Sequence, residues 1–207
     1  FADSLGNMNS EKVQNVIELL RTHWKGELGF HAHDNIGLGL SNTLYALNKG
    51  VTWVDSTVTG MGRGAGNVKT ELLAIEMSIL RSSNYNMKPI MALTTNSFKL
   101  MKEKYGWGTN PFYYLSGINS VHPTYVQEMM ADSRYNEEDI IAVIEHLGKE
   151  GGKKYSKNIL GEARNYYPEK PQGNWSPVKL FEGKKVILIG SGPGVSIHKR
   201  AIESFIK

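Results

Sequence analysis

Apolar residues fall at helical spacing in three stretches of the first 80 positions, and a short apolar or β-branched run stands before each. Val13, Val16, Ile17 and Leu20 lie at i, i+3, i+4 and i+7, behind Asn9 or Ser10 as an N-cap and ahead of Gly26 as a stop. Leu28 to His33 reads as a short strand. Leu40, Leu44 and Leu47 mark one face of a second helix, ended by Gly50. Val51 to Val58 is β-branched and reads as the next strand. After a glycine-rich loop, Val68, Leu72, Ile75 and Ile79 form the stripe of a third helix. Phe1 to Ser4 reads as the end of one more strand. Strand and helix thus alternate at roughly 25 residues per unit, the pattern of parallel strands joined by crossover helices. Each strand end is followed by polar residues: Asp3-Ser4, His31 to Asn35, Asp55 to Thr59. Parallel-strand enzymes place their chemistry at those C-terminal ends.

From about Pro89 the pattern is helical alone. Ser97 to Tyr105 and Thr124 to Met130 are predicted helices. Asn136 caps another, with Glu137, Glu138 and Asp139 in its first turn, Ile140, Val143, Ile144 and Leu147 as its stripe, and Gly148 at its end. Pro168, Pro171, Gly173 and Pro177 have the composition of a linker. Lys184 to Ile189 then reads as a buried-type strand running into Gly190-Ser191-Gly192-Pro193-Gly194. That turn has a phosphate-binding look, but Pro193 removes an amide donor and departs from Gly-x-Gly-x-x-Gly.

Composition narrows the function classes. Of the 207 residues 40% are hydrophobic and 21% charged, ordinary for a soluble globular protein. No apolar run reaches a membrane span and no signal peptide is visible. The net charge of +4 is dispersed, which argues against a nucleic-acid face and suits small anionic substrates. The absence of cysteine excludes disulfides and thiolate ligands and agrees with a cytoplasmic home. The chain starts at Phe1 rather than Met and ends at Lys207 inside a helical pattern, so a fragment of a longer protein is expected.

Two clusters carry the chemistry. In His31-Ala32-His33 alternate residues of a strand point the same way, so both imidazoles can share one cation, with Asp34-Asn35 able to orient them. Gly60-Met61-Gly62-Arg63-Gly64-Ala65-Gly66-Asn67 has four glycines in seven residues, enough freedom to fold tightly over a site. Its amides and the following helix start can receive an anion, and Arg63 adds a planar cation suited to carboxylates. No Gly-Lys-Ser/Thr follows, so it is not a Walker loop.

Taken in order, Asp3-Ser4-Leu5-Gly6, His31-Ala32-His33-Asp34-Asn35, Val54-Asp55-Ser56 and Gly60 to Asn67 resemble the metal-dependent lyases and aldolases of the (β/α)8-barrel kind. That group includes hydroxymethylglutaryl-CoA lyase, isopropylmalate synthase and 4-hydroxy-2-oxovalerate aldolase, and the last branch is the nearest. The resemblance is close over about residues 1–80 and loose to about 165. It implies an α/β fold: the C-terminal part of a (β/α)8 TIM barrel, then a small helical domain and the start of a Rossmann-like segment. The domains expected are 1–88 (last three β/α units, with the metal site), 89–165 (helical), 166–180 (linker) and 181–207 (start of a nucleotide-binding domain). The activity implied is aldol or retro-aldol chemistry on a 2-oxo acid such as pyruvate with an aldehyde. A Claisen-type acyl-CoA transferase of the isopropylmalate synthase kind, or a barrel fragment acting as an assembly or binding piece, are the alternatives.

The site residues follow from the same resemblance. His31 and His33 would bind a divalent metal, Mn2+ or Mg2+, with Asn67 reaching the metal or its shell. Arg63 and either Tyr113 or Tyr114 would be catalytic, the tyrosines also being plausible packing residues. Ser4, Gly62 and Gly64 would contact substrate. In the family a further aspartate ligand and an arginine lie on the first barrel strand, a segment expected ahead of Phe1. His23, His122, His146 and His198 read as surface or packing residues, and Trp24, Trp53, Trp107 and Trp175 as core or interface. The partners expected are small molecules, with a homo-oligomer or partner enzyme possible, and no nucleic acid or membrane.

Overall fold

Along the central strand, side chains alternate between two environments. In β2 (Gly29–Ala32) Phe30 and Ala32 are buried against helices, while His31 and the following His33 turn to the opposite face and are half-buried. The computed structural model describes residues 1–82, 84–163, 178–189, 195 and 197–206. They fall into two compact units, Phe1–Pro168 and Glu169–Lys207.

β1 (Ala2–Asp3), β2 and β3 (Trp53–Val54) form a parallel sheet in that order, with Ala2 opposite His31, Asp3 opposite Ala32, Gly29 opposite Trp53 and Phe30 opposite Val54. The crossovers are α1 (Ser10–His23) and α2 (Gly39–Asn48), and α3 (Thr70–Leu80) follows β3. Asn9 caps α1 by accepting from the Lys12 amide. Val13 and Ile17 of α1 pack with Leu28, Phe30, Ala32, Ala46, Val51, Val68 and Leu73 in one apolar cluster. Each large aliphatic or aromatic side chain buried there contributes about 1.5–3 kcal/mol.

Two predicted stripes are rotated in the structure. In α2 the buried face carries Asn42, Thr43 and Ala46, and Leu40, Leu44 and Leu47 are only half-buried. Asn42 turns inward because its amide donates to the Met8 carbonyl at 2.7 Å. In α3 the buried residues are Glu71 and Leu73, whereas Leu72 and Ile79 are exposed. Glu71 faces in because its carboxylate accepts the Thr59 amide at 2.9 Å. β3 is also shorter than Val51 to Val58, spanning Trp53–Val54 alone. Trp24 and Trp53 are exposed and Trp107 is buried; Trp175 lies outside the described residues.

Beyond α3 the unit is helical: α4 (Lys88–Leu93), a π turn (Thr94–Phe98), α5 (Lys99–Tyr105), α6 (Pro111–Ile118), α7 (Pro123–Met130), α8 (Glu137–Glu150) and α9 (Lys157–Ala163). Helix formation thus starts at Lys88 rather than at Ser97, with Pro89 in the first turn. α8 has the full capping box, Asn136 with Asp139, and buries the stripe Ile140, Val143, Ile144 and Leu147. It runs past Gly148 to a left-handed Gly151. Tyr113, Val121, Tyr125, Val126 and Met129 complete this second core, which also takes in Ala65 of the glycine loop. Tyr125 is fully buried, and its hydroxyl donates to the Lys154 carbonyl and accepts the Ser156 amide.

The unit Glu169–Lys207 contains α10 (Val178–Phe181) and α11 (Lys199–Ile206). Lys184 to Ile189, expected as a buried strand, is exposed and makes no strand ladder, since no neighbouring strand pairs with it among the described residues. The turn Gly190 to Gly194 lies outside the described residues. Among the described residues no helix is long and apolar enough to cross a membrane.

Candidate functional site

The two histidines sit side by side at the C-terminal end of β2, their ring centroids 4.8 Å apart and nearly perpendicular. Each holds an oxygen at Nδ1. His33 Nδ1 lies 2.9 Å from the Asp3 carbonyl oxygen, which only accepts, so the proton is on Nδ1. His31 Nδ1 lies 2.7 Å from Asp55 Oδ1 and donates to that carboxylate in the same way. A neutral ring with Nδ1 so engaged presents its lone pair at Nε2, the arrangement second-shell oxygens impose on metal-binding imidazoles. Burial, helped by the His31 and Arg63 charges, depresses the His33 proton affinity against the opposing Asp3 hydrogen bond.

Asp3 holds the first strand end. Its carboxylate is buried and accepts the Asn7 and Met8 amides at 3.1 and 2.8 Å. Gly6, at φ +59°, passes so close to Asn35 that a Cβ would lie 2.5 Å from its Oδ1. Ser4 is exposed at the same strand end.

The glycine loop folds back onto the histidines. Asn67 pairs with His33 in an antiparallel bridge, and the Asp34 amide donates to the Gly66 carbonyl at 3.0 Å. The Asn67 side-chain NH2 donates to the Met61 carbonyl, while its buried Oδ1 has no hydrogen-bond partner. An orphaned amide oxygen is costly to bury, and on the residue bridged to His33 it is an oxygen of the type hard cations take. By donor type alone, two imidazoles and an amide oxygen, His31, His33 and Asn67 suit a divalent metal. Among the described residues no group of three or more His, Asp or Glu side chains is placed to hold one.

The loop glycines make room for neighbours. A Cβ on Gly62 would lie 2.6 Å from Asn67 Nδ2, and one on Gly64 would meet Tyr113 and Pro123 at 3.2 Å. Thr59, at φ 55°, begins the loop in a strained left-handed conformation. It is pinned by Glu71 at its amide and by Trp107, whose indole donates to its carbonyl at 3.2 Å. Gly108 and Thr109 add hydrogen bonds to the carbonyls of Gly64 and Asp34.

Of the two tyrosine candidates the structure brings one to the loop. Tyr113 is buried against Gly64 and shares a cavity of about 320 Å3 with Gly62, Arg63, Trp107 and Gln127. Burial holds its phenol above the usual range, so it stays protonated. Tyr114 is half-exposed and lines a separate apolar groove with Phe112, Leu115, Ile118 and Ile141. Neighbours in a helix point about 100° apart, so only one can face the site.

His122, read from the sequence as a surface or packing residue, leans on Tyr155 with ring centroids 6.4 Å apart. It caps α7, its Nδ1 accepting the Thr124 amide at 3.3 Å. Burial and the nearby Arg63 and His33 charges lower its pKa. The sequence signal was a histidine immediately before a proline at a helix start. A base whose folded pKa lies below 6.5 leaves the unfolded chain with more bound protons between the two values, so stability should rise with pH through that window and be complete above it. Thermal unfolding from about pH 5 to 7.5 should show a shallower rise for His122→Asn, which keeps the cap. An unchanged slope would show that the ring folds without this penalty.

Residues 1–96 match the HMGL-like family model. The 4-hydroxy-2-oxovalerate aldolase of Carboxydothermus hydrogenoformans is 44% identical over 80 residues, covering 39% of this chain and 24% of that protein. The match thus spans about a quarter of the relative's length. The N-terminal domain of a Bacteroides vulgatus protein described as an aldolase superposes with a TM-score of 0.58 at 37% identity, over 64% of this chain and 44% of that one. The carboxyl transferase domain of Rhizobium etli pyruvate carboxylase gives a TM-score of 0.56 at 16% identity, over 79% and 30% of the two chains, a likeness of fold alone.

Proposed function

From an HMGL-like domain over residues 1–96, we propose that the protein containing this chain is a metal-dependent aldolase joining or cleaving a 2-oxo acid and an aldehyde, in the manner of 4-hydroxy-2-oxovalerate aldolase. One observation carries the reading. Two strand-end imidazoles have Nδ1 committed to oxygen acceptors and Nε2 free, beside a buried Asn67 oxygen without a partner. His31, His33 and Asn67 would hold Mn2+ or Mg2+, which supplies a Lewis acid for the 2-oxo acid enolate. Asp3 and Asp55 fix the two rings. Arg63 brings a permanent cation to bound carboxylate or enolate oxygens. Tyr113, protonated by burial, can donate at the loop cavity, and Gly62 and Gly64 let the backbone approach the ligand, with Ser4 at the adjoining strand end. In the layout we infer, 1–88 are barrel units, 89–165 a helical domain and 166–180 a linker to 181–207.

The test is pyruvate release from a 4-hydroxy-2-oxo acid by the full-length protein. Chelation should remove activity and Mn2+ or Mg2+ restore it. Turnover untouched by exhaustive chelation would overturn the metal reading, and no pyruvate in any condition would overturn the aldolase.

A further inference from the structure

The connection between α5 and α6 crosses the glycine loop as a row of hydrogen-bond donors. The Trp107 indole reaches the Thr59 carbonyl at 3.2 Å, the Gly108 amide the Gly64 carbonyl at 3.1 Å, and the Thr109 hydroxyl the Asp34 carbonyl at 3.2 Å. The indole bond is buried, and the ring lies on the loop: a Cβ on Gly66 would stand 3.8 Å from Trp107 Cδ1. Its acceptor is the residue that most needs holding. Thr59 is left-handed without being glycine, and its hydroxyl turns back on the Val58 carbonyl. A strained residue persists only where its surroundings over-determine it. Here Glu71 takes the Thr59 amide and Trp107 its carbonyl, and both side chains are buried.

The two carbonyls that follow Thr59 are the ones that hold Asn67. The Gly60 carbonyl accepts the Asn67 amide and the Met61 carbonyl accepts its side-chain NH2, both at 3.1 Å. With main chain and NH2 both engaged, the direction of Oδ1 is set, and that oxygen is buried without a partner. The Thr59 turn therefore aims two carbonyls, and those carbonyls aim Oδ1. Resting on the metal-dependent aldolase reading above, we infer that Trp107 is a positioning residue: its indole N–H locks the Thr59 turn so that Asn67 presents Oδ1 to a divalent cation. Glu71 is the second pin of the same turn. Each acts through the backbone of the loop rather than on the cation. Hydrogen bonds one step removed from a ligand fix its orientation and so its affinity. The helical segment thus finishes a site whose imidazoles belong to the strands.

Calorimetric titration of the full-length protein with Mn2+ tests this without turnover. Trp107→Phe keeps an aromatic ring, removes the indole donor and should weaken Mn2+ binding by about 10-fold. Asn67→Ala should weaken it as well. In the Asn67→Ala background Trp107→Phe should then cost less than about twofold, because residues that act through one another are not additive. An undiminished loss in that background would overturn the inference, since the tryptophan would be supporting the fold at large. Wild-type affinity in Trp107→Phe would overturn it too. Glu71→Leu removes the opposite pin and should repeat the pattern if Trp107→Phe does not fold. Should neither variant fold, the wild-type protein decides: by reciprocity Mn2+ should slow hydrogen exchange at the Thr59 amide more than at the α8 amides, and equal slowing would overturn the role of the turn. These outcomes leave the metal site standing. Unchanged affinity in Asn67→Ala, or no Mn2+ binding by the wild type, would overturn that site and this inference with it.

Discussion

Replacing His31 and His33 together by alanine is expected to abolish Mn2+ binding measured by calorimetry and to lower aldol cleavage by about 1,000-fold or more. A Lewis acid at the reacting carbonyl is worth several kcal/mol, and each 1.36 kcal/mol is tenfold in rate. The fold should survive, because both rings lie on the face of β2 opposite Phe30 and Ala32 and are half-buried. The melting temperature of the variant is the control. His31→Ala alone should leave weaker binding, since His33 keeps its Asp3 carbonyl and its pairing with Asn67. Unaltered affinity in the double variant would show that the pair is structural.

Gly66→Ala should damage the site from a distance. Gly66 has φ +81°, and a Cβ there would lie 2.1 Å from the Gly60 carbonyl oxygen. That oxygen accepts the Asn67 amide at 3.1 Å, so backbone must move and the movement lands on the proposed third ligand. The left-handed conformation alone costs a residue with a side chain about 1–2 kcal/mol. With the clash added, a loss of about 2–4 kcal/mol in unfolding free energy is expected, in the range of severe single substitutions. Mn2+ affinity should fall in parallel. Wild-type stability and affinity would mean that the loop has a second, relaxed path around Gly60.

Much of this was legible along the chain because local rules operate there. Strand alternation puts His31 and His33 on one face, and the structure keeps them there. The Asn136 cap and the α8 stripe follow from helix-end chemistry and 3.6-residue spacing, and both are found. The stripes of α2 and α3 were misread for one reason. Leucine spacing counts apolar side chains, and Asn42 and Glu71 are drawn inward by single backbone groups, the Met8 carbonyl and the Thr59 amide. Those partners are distant in sequence and have no periodic signature. The cap that His122 makes on α7 was also missed, because apolar spacing does not report a ring nitrogen accepting the Thr124 amide. Choosing Tyr113 over Tyr114 required the rotation of α6, which Asn110 fixes by accepting the Tyr113 amide.

A polypeptide leaves the ribosome N-terminus first, and its segments fold as they emerge. The strand ends bearing the two histidines emerge well before Trp107, Gly108 and Thr109, which pin the loop through the carbonyls of Thr59, Gly64 and Asp34. Ala65 is further anchored in a core that needs Ile144 and Leu147. A nascent chain therefore holds its first imidazole pair for many residues of synthesis before the strained Thr59 turn can lock and bring Asn67 home. On the metal site proposed above, cation capture would wait for the close of synthesis of this unit, and a stalled or truncated product would lack Asn67 in its place.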